Sequence, residues 1–215
     1  MRGSMTVVAV AGLVPAFAAH GEFILQDSLQ KDQGWTSWDS KLAFGEMGLS
    51  AFGVVSRELE WLPERFEAQV TLDTAKSIIW GFGVAGTFSP ETGFSGIALV
   101  ADRQEKPGVT LGRWENDMIV DSVWIDAEAE KLFDGVHDLM IGVGEDVAYA
   151  RIDGVTVAKL GFDAKKPAGS QIVLASFAEG DTFFRDLTVA ARIPSQGGLM
   201  VAMPLVALAA MRRRR

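Results

Sequence analysis

The chain has 215 residues and no cysteine, which excludes disulfides, thiolate chemistry and cysteine-based metal sites. Its formal net charge is −8, and five of its basic residues are Arg2 and the terminal run 212–215, so the body between them is more acidic still. An acidic body excludes nucleic acid as a partner, because that partner requires basic patches that replace counterions.

The N-terminus has the pattern of an export signal. Arg2 precedes the uncharged run Met5–Val14, and Ala16 and Ala18 provide small residues at positions −3 and −1 of a cleavage site. This order of charge, apolar run and small residues predicts a signal peptide over residues 1–18. The alternative is a buried N-terminal strand over Thr6–Val10.

The central part, residues 19–193, has the length of one domain and the pattern of short strands. Its segments alternate or are apolar, and each is closed by Gly, Pro, Asp or Asn: Phe66–Leu72, Ser77–Ala85, Gly96–Ala101, Gly108–Trp114, Met118–Ile125, Val136–Val143, Val147–Ile152, Val155–Leu160, Gln171–Phe177 and Thr182–Ala190. Strands at this spacing predict an all-β fold, an antiparallel β-sandwich. One or two helical turns are expected over Asp126–Phe133. Asp153-Gly154, between two β-branched runs, predicts a hairpin with a type I′ turn.

Several segments together resemble one fold family. They are His137-Asp138-Leu139-Met140-Ile141-Gly142-Val143 with Asp153-Gly154-Val155, the opening Phe23–Ser28 with Gly34-Trp35, and the closing pair Ile172–Phe177 and Phe184–Val189. This set is similar to the concanavalin A-like lectin and glucanase domains, the laminin-G-like jelly rolls. The resemblance covers most of residues 21–190 and implies a jelly-roll sandwich, with the apolar termini as helices outside it.

Catalysis finds little support in the sequence. Glycoside hydrolases of this family carry a Glu-x-Asp-x-x-Glu strand, which places the two necessary carboxylates in one cleft. That motif is absent; Glu115 precedes a predicted turn, and Glu128 and Glu130 lie in a predicted loop or helix. The histidines are His20, beside the predicted cleavage site, and His137, which is expected to open a strand and hydrogen-bond locally.

Carbohydrate binding requires fewer specific residues than glycoside hydrolysis does, since an exposed aromatic ring can stack on the C–H face of a sugar. Trp35, Trp38 and Trp114 are the candidate binding residues, because each lies in or beside a polar segment. For all three, packing in the core remains the alternative. Trp80 is predicted to be a core residue, and Trp124 is left open.

Small residues on one strand face give a further signal. Gly81, Gly83 and Ala85 alternate along the segment Ser77–Ala85. They predict either a shallow groove on the surface or a place where another strand packs closely.

The family resemblance also implies calcium as an alternative to the expectation of no cofactor. The weak candidates are Asp117, Asp121 and Asp181, but no loop has the dense acidic spacing of a dedicated calcium site. Asp153 is better explained by its turn.

The C-terminal segment, residues 194–215, is an uncharged run that ends in four arginines. It resembles the C-terminal sorting signals of exported bacterial proteins, namely the Pro-Glu-Pro (PEP-CTERM) type, with Ile193-Pro194-Ser195-Gln196 in place of Pro-Glu-Pro. The Gly-Gly pair also resembles the GlyGly signal that rhomboid-like proteases cut. The residues that carry the pattern are Pro194, Gly197, Gly198, Arg212, Arg213, Arg214 and Arg215.

Arginines after an apolar run remain on the cytoplasmic side of a membrane. Gly197–Met211 is nevertheless shorter than the roughly 20 residues of a spanning helix. The alternative is a terminal core helix.

Together these features predict an exported bacterial protein at the cell surface, with a transient or permanent inner-membrane anchor and a C-terminal sorting protease as partner. Its jelly roll is expected to be a non-catalytic module that binds polysaccharide or contributes to an extracellular glycan matrix. The alternatives are a glycan hydrolase with an unrecognised active site and a purely structural surface protein.

Overall fold

The computed structural model describes residues 23–74, 79–103, 108–125, 133, 135–161, 169–177 and 182–191. These residues form thirteen β-strands, all paired antiparallel. In chain order they are β1 (Phe23–Asp27), β2 (Thr36–Gly45), β3 (Gly48–Glu58), β4 (Phe66–Thr74), β5 (Ile79–Ser89), β6 (Gly93–Asp102), β7 (Gly108–Glu115), β8 (Met118–Ile125), β9 (Val136–Val143), β10 (Val147–Ile152), β11 (Val155–Gly161), β12 (Gln171–Ser176) and β13 (Thr182–Ala191).

The strands form two layers. The front layer has the order β2-β3-β12-β5-β6-β7-β8, and the back layer has the order β1-β13-β4-β9-β10-β11. Hydrogen bonding continues from one layer to the other because the start of β13 pairs with β3 at Phe183↔Ser50 and Phe184↔Leu49. At the other side β11 lies against β7 and β8. The predicted all-β antiparallel sandwich is confirmed.

Alternation along the strands builds the core. In β4 the side chains of Phe66, Ala68, Val70 and Leu72 are buried, and the residues between them are half-buried. In β5 the inward residues include Trp80 and Phe82, both fully buried, which confirms Trp80 as a core residue. Each such side chain contributes about 1.5–3 kcal/mol when it is removed from water.

The Asp153-Gly154 hairpin has the predicted type I′ geometry, with φ of 51° at Asp153 and 78° at Gly154. The Asp153 carboxylate accepts a hydrogen bond from the backbone N–H of Asp138 at 2.9 Å, and its other oxygen lies 2.9 Å from Nδ1 of His137. The backbone N–H of Asp153 donates to the carbonyl of Asp138, also at 2.9 Å. Asp153 and His137 therefore hold the hairpin, as the sequence indicated.

Two strands, β2 and β3, were not predicted from the sequence pattern. β2 is an edge strand with many exposed polar residues, and its register with β3 shifts between Trp38 and Lys41. In β3, Gly53 adopts a φ of 106°, which interrupts the alternation. Both irregularities remove the period-two signal on which the prediction depended.

Some predictions fall on other parts of the chain. The signal peptide over residues 1–18, the sorting tail over 194–215 and the candidate Asp181 lie outside the described residues. So does the helical segment 126–133, apart from Phe133, which is buried. Within the described ranges, no helix has the length and apolar character needed to cross a bilayer.

Candidate functional site

The outward face of the front layer has a floor of small side chains. The strand register aligns Val54, Ala175, Gly81 and Val100 in one row across β3, β12, β5 and β6. The neighbouring row contains Val173, Gly83, Ala98 and Gly112. Glycine and alanine on adjacent strands leave the sheet surface low at this place.

The two glycines of β5 have different roles. A Cβ atom at Gly81 would meet only ordinary contacts, 3.5 Å to Cβ of Ala175 and 3.8 Å to Cγ2 of Val100. A Cβ atom at Gly83 would lie 2.8 Å from Cζ of Phe94. Gly81 therefore leaves free space on the floor, whereas Gly83 allows an aromatic ring to pack against the sheet. The groove and the close packing, predicted as alternatives, both occur. Ala85 departs from the pattern because it adopts a φ of 50° at a bulge.

Aromatic rings surround this floor and make it a groove, which we call the aromatic groove. Its cavity volume is about 190 Å³. The described residues that line it are Val54, Ile79, Trp80, Gly81, Phe82, Gly83, Phe88, Phe94, Ala98, Val100, Trp114, Asp117, Val173, Ala175 and Phe177. The rings at its rim are those of Phe88, Phe94, Trp114 and Phe177, since Trp80 and Phe82 are fully buried in the core.

Trp114 lies at this rim and is half-buried. It is opposite Gly96 in the β6–β7 pair, and its pyrrole edge covers Gly112, where an added Cβ would be 3.1 Å from Nε1. The indole Nε1 is buried and has no hydrogen-bond partner among the described residues. A buried N–H left unpaired costs about 1–3 kcal/mol. Trp114 thus combines a ring at the groove with an unused donor.

Asp117 fixes the rim on the same side. Asn116 and Asp117 form a turn with φ of 53° and 62° between β7 and β8. The Asp117 carboxylate accepts a hydrogen bond from the backbone N–H of Phe94 at 2.7 Å, and the Asp117 N–H donates to the carbonyl of Phe94 at 2.9 Å. Since Asp117 binds the backbone of Phe94 on both sides, it positions that aromatic ring over the groove.

Trp38 lies beside the groove, opposite Val54 in the β2–β3 pair. Its Nε1 donates to Oγ of Ser56 at 3.0 Å, and its ring contacts that of Phe88 with centroids 5.8 Å apart and planes tilted by 60°. Trp38 is half-buried and does not line the cavity. Its role at the groove is therefore indirect, through Phe88.

Trp35 lies in the core, with 6% of its surface exposed. Its Nε1 donates to Oδ2 of Asp27 at 3.1 Å, and the same oxygen forms an ion pair with Arg57. The other Asp27 oxygen accepts the backbone N–H of Leu29 at 2.8 Å. This buried cluster joins β1 to β3, and it leaves no face of the Trp35 ring for a ligand.

The structure also adds residues that the sequence reasoning missed. Phe88 and Phe94 flank the β5–β6 turn, and Phe177 directly follows β12. The signal available was their position next to the small residues of β5, but a ring that folds over glycines of its own hairpin resembles any other apolar residue in sequence. Trp61, in the β3–β4 loop, is 54% exposed and lies outside the groove.

Among the described residues, acidic side chains near the groove are few. Within the described ranges, no group of three or more His, Cys, Asp or Glu side chains could hold a metal ion. Asp117 is committed to Phe94, and Asp121 is exposed opposite Arg113 in the β7–β8 pair. Among the described residues that line the groove, Asp117 is the single carboxylate, whereas glycoside hydrolysis requires two.

Comparison with known proteins identifies the architecture. No protein-family model matches the chain, and no curated protein is significantly similar to it in sequence. Solved structures do match, among them a Bacillus subtilis protein of unknown function with a galectin-like fold, with a TM-score of 0.60 and 12% identity over 81% of this chain and 99% of that one. The carbohydrate-binding module CBM66 from Bacillus subtilis matches with a TM-score of 0.56 and 13% identity over 74% and 96% of the two chains. The fold is the concanavalin A-like jelly roll.

A Bacillus licheniformis β-glucanase has the same fold, with a TM-score of 0.54 and 8% identity over 82% of this chain and 100% of that one. At these identities the likeness concerns the fold alone, because one architecture carries many functions. The function must therefore be argued from the groove.

Proposed function

We propose that this protein is a carbohydrate-binding jelly-roll module and that the aromatic groove is its ligand site. The observation that carries the proposal is Trp114, whose ring borders a floor of small residues and whose buried N–H has no partner among the described residues. The fold that this chain shares with a carbohydrate-binding module supports it.

The chemistry of the groove suits a sugar. The C–H face of a pyranose stacks on an aromatic ring, and Phe94, Phe88 and Trp114 offer rings around one cavity. The indole N–H is a donor only, so it pairs with a sugar oxygen. In this structure the N–H is buried against Gly112, so it reaches a ligand only if the indole turns away from the sheet, which would relieve the cost of leaving it unpaired.

We further propose that the module acts outside the cell. The pattern of residues 1–18 supports export, and the tail 194–215 supports a membrane anchor and a C-terminal sorting protease. An exported module of this kind meets polysaccharide or matrix glycan as its partner. The acidic body is consistent with a neutral ligand.

The test is retention of the full-length protein, in detergent micelles, in affinity gels that contain neutral polysaccharides. Trp114→Ala should weaken retention roughly 10- to 100-fold, since it removes one stacking contact and one hydrogen bond of about 1–3 kcal/mol in total. Trp61→Ala is the matched control, because Trp61 is an exposed tryptophan outside the groove. Trp38→Ala should have a smaller effect, through Phe88.

Two results would contradict the proposal. One is a wild-type protein that no polysaccharide in the panel retards. The other is Trp114→Ala with unchanged retention and an unchanged melting temperature, which would make the groove a structural surface.

A further inference from the structure

The aromatic groove has very few polar side chains. Of the described residues that line it, Trp80, Trp114 and Asp117 are the ones that carry side-chain nitrogen or oxygen. Trp80 is fully buried in the core. One oxygen of Asp117 already accepts the backbone N–H of Phe94. The described lining therefore holds one donor without a partner, Nε1 of Trp114, which is buried against Gly112, and the remaining capacity of one carboxylate.

This inventory is too small for an unmodified sugar ring. A pyranose carries several hydroxyl groups, and burying any one of them without a partner weakens binding. A methyl group that enters the same space strengthens binding, because apolar surface is removed from water. The part of the ligand that enters must therefore be apolar, while the hydroxyl groups stay in water or at the rim.

The size of the groove also indicates that only a small part of the ligand enters it. Its volume of about 190 Å³ is below the roughly 300–1,000 Å³ of pockets that enclose a drug-sized ligand. Gly81 and Ala175 are paired in the floor, and a Cβ atom at Gly81 would meet only ordinary contacts, so the floor has room for a methyl group there. The groove accommodates one substituent and part of one ring face, and it does not enclose an oligosaccharide.

The charge of the groove and of the whole chain narrows the class of ligand further. Asp117 is the charged side chain among the described lining residues, and the whole chain carries a net charge of −8. A carboxylate at the rim repels uronates and sulfated sugars. The ligand is consequently not an anionic sugar.

We propose that the groove recognises a neutral, acetylated sugar, whose acetyl methyl group lies on the Gly81–Ala175 floor between the aromatic rings. In this arrangement the acetyl carbonyl or a ring hydroxyl accepts the Trp114 N–H. This inference rests on the proposed carbohydrate-binding function and specifies its ligand class.

The test compares sugars with and without an acetylated substituent. Full-length protein in micelles is titrated with O-acetylated xylo-oligosaccharides and with the same oligosaccharides after alkaline deacetylation, which leaves them neutral. A second pair is chito-oligosaccharides and cello-oligosaccharides of equal length. We expect the acetylated member of at least one pair to bind ten-fold more tightly or better. Equal affinity, or preference for the unacetylated member, overturns the acetyl inference and leaves carbohydrate binding in place. Absence of binding to both pairs overturns the inference, and absence of binding to the whole neutral panel overturns the proposed function as well.

A floor variant provides the second arm. Ala175→Leu fills the space above the floor and should reduce the affinity ratio of acetylated to unacetylated sugar to about one. Ala43→Leu, at an exposed position of edge strand β2, is the matched control and should leave the ratio unchanged. If Ala175→Leu does not fold, Gly81→Ala replaces it, because its methyl group would lie 3.5 Å from Cβ of Ala175, at an ordinary contact distance. A folded floor variant that retains the full ratio contradicts the proposal.

Discussion

Gly154→Val tests the hairpin that the sequence predicted. Gly154 has a φ of 78°, and a Cβ atom added there would meet nothing within 4 Å. The substitution therefore creates no collision with a neighbour. Its cost is the strain of a β-branched residue in the left-handed region, about 1–3 kcal/mol. Because Gly154 lies in a turn away from the groove, ligand affinity per folded molecule should not change.

Gly161→Val supplies the control. Gly161 ends β11, an added Cβ there also meets nothing within 4 Å, and its φ is not in the positive region. Both variants restrict the unfolded chain equally, a gain of about 0.4–1 kcal/mol. Gly161→Val should therefore be neutral or slightly stabilising, and the two variants should differ by about 2 kcal/mol. For a domain of this size the difference amounts to about 4–8 °C in Tm.

The assay is thermal and urea unfolding of both variants, followed by tryptophan fluorescence, with affinity gels run in parallel. Equal stability of the two variants would refute the reasoning, since it would mean that φ at Gly154 carries no cost. Loss of binding by Gly154→Val without loss of stability would indicate that Asp153 and its turn belong to the ligand site.

Three further outcomes are expected. Trp35→Ala should lower the free energy of unfolding in urea by roughly 3–5 kcal/mol, because it empties a core position and removes a hydrogen-bond donor from Asp27. Trp61→Ala should lower it by under about 1 kcal/mol. Similar losses in the two variants would contradict the assignment of Trp35 to the core. Deletion of residues 197–215 should leave a soluble domain that unfolds cooperatively by calorimetry, and loss of cooperativity would make the tail part of the core. N-terminal sequencing of exported protein should find Ala19 first, and exported material that begins at Met1 or Met5 would contradict the signal peptide.

The sequence predicted those features that neighbouring residues decide. The Asp153-Gly154 turn is local, because two residues that tolerate positive φ determine its type. β8, β9 and β10 begin and end where the sequence predicted, because Gly, Asp or Asn closes these short segments. β2 and β3 were missed since a register shift and Gly53 break their period.

The groove was only partly predictable. Gly81 and Gly83 indicated a low surface, but the rings that surround it come from three separate places in the chain: the β5–β6 turn, β7 and the end of β12. Phe94 reaches its position through a hydrogen bond to Asp117, 23 residues away. The pairing of Asp117 with Phe94 follows from the order of the strands in the sheet, and no local sequence pattern predicts it. For the same reason, Trp35 and Trp114 look alike in sequence, and the structure separates them.

The position of β13 has a consequence for how the protein is made. β13 is the last strand of the chain order, yet it pairs with β4 along one side and with β1 and β3 along the other. Until these ten residues have been synthesised, the back layer lacks an inner strand, and β1 has no neighbour with which to pair. Contacts between such distant segments form slowly, because a long loop must close before they contribute. The domain should therefore stay unfolded at least until β13 has been synthesised. An unfolded chain is the state in which a polypeptide can be threaded through a translocation channel.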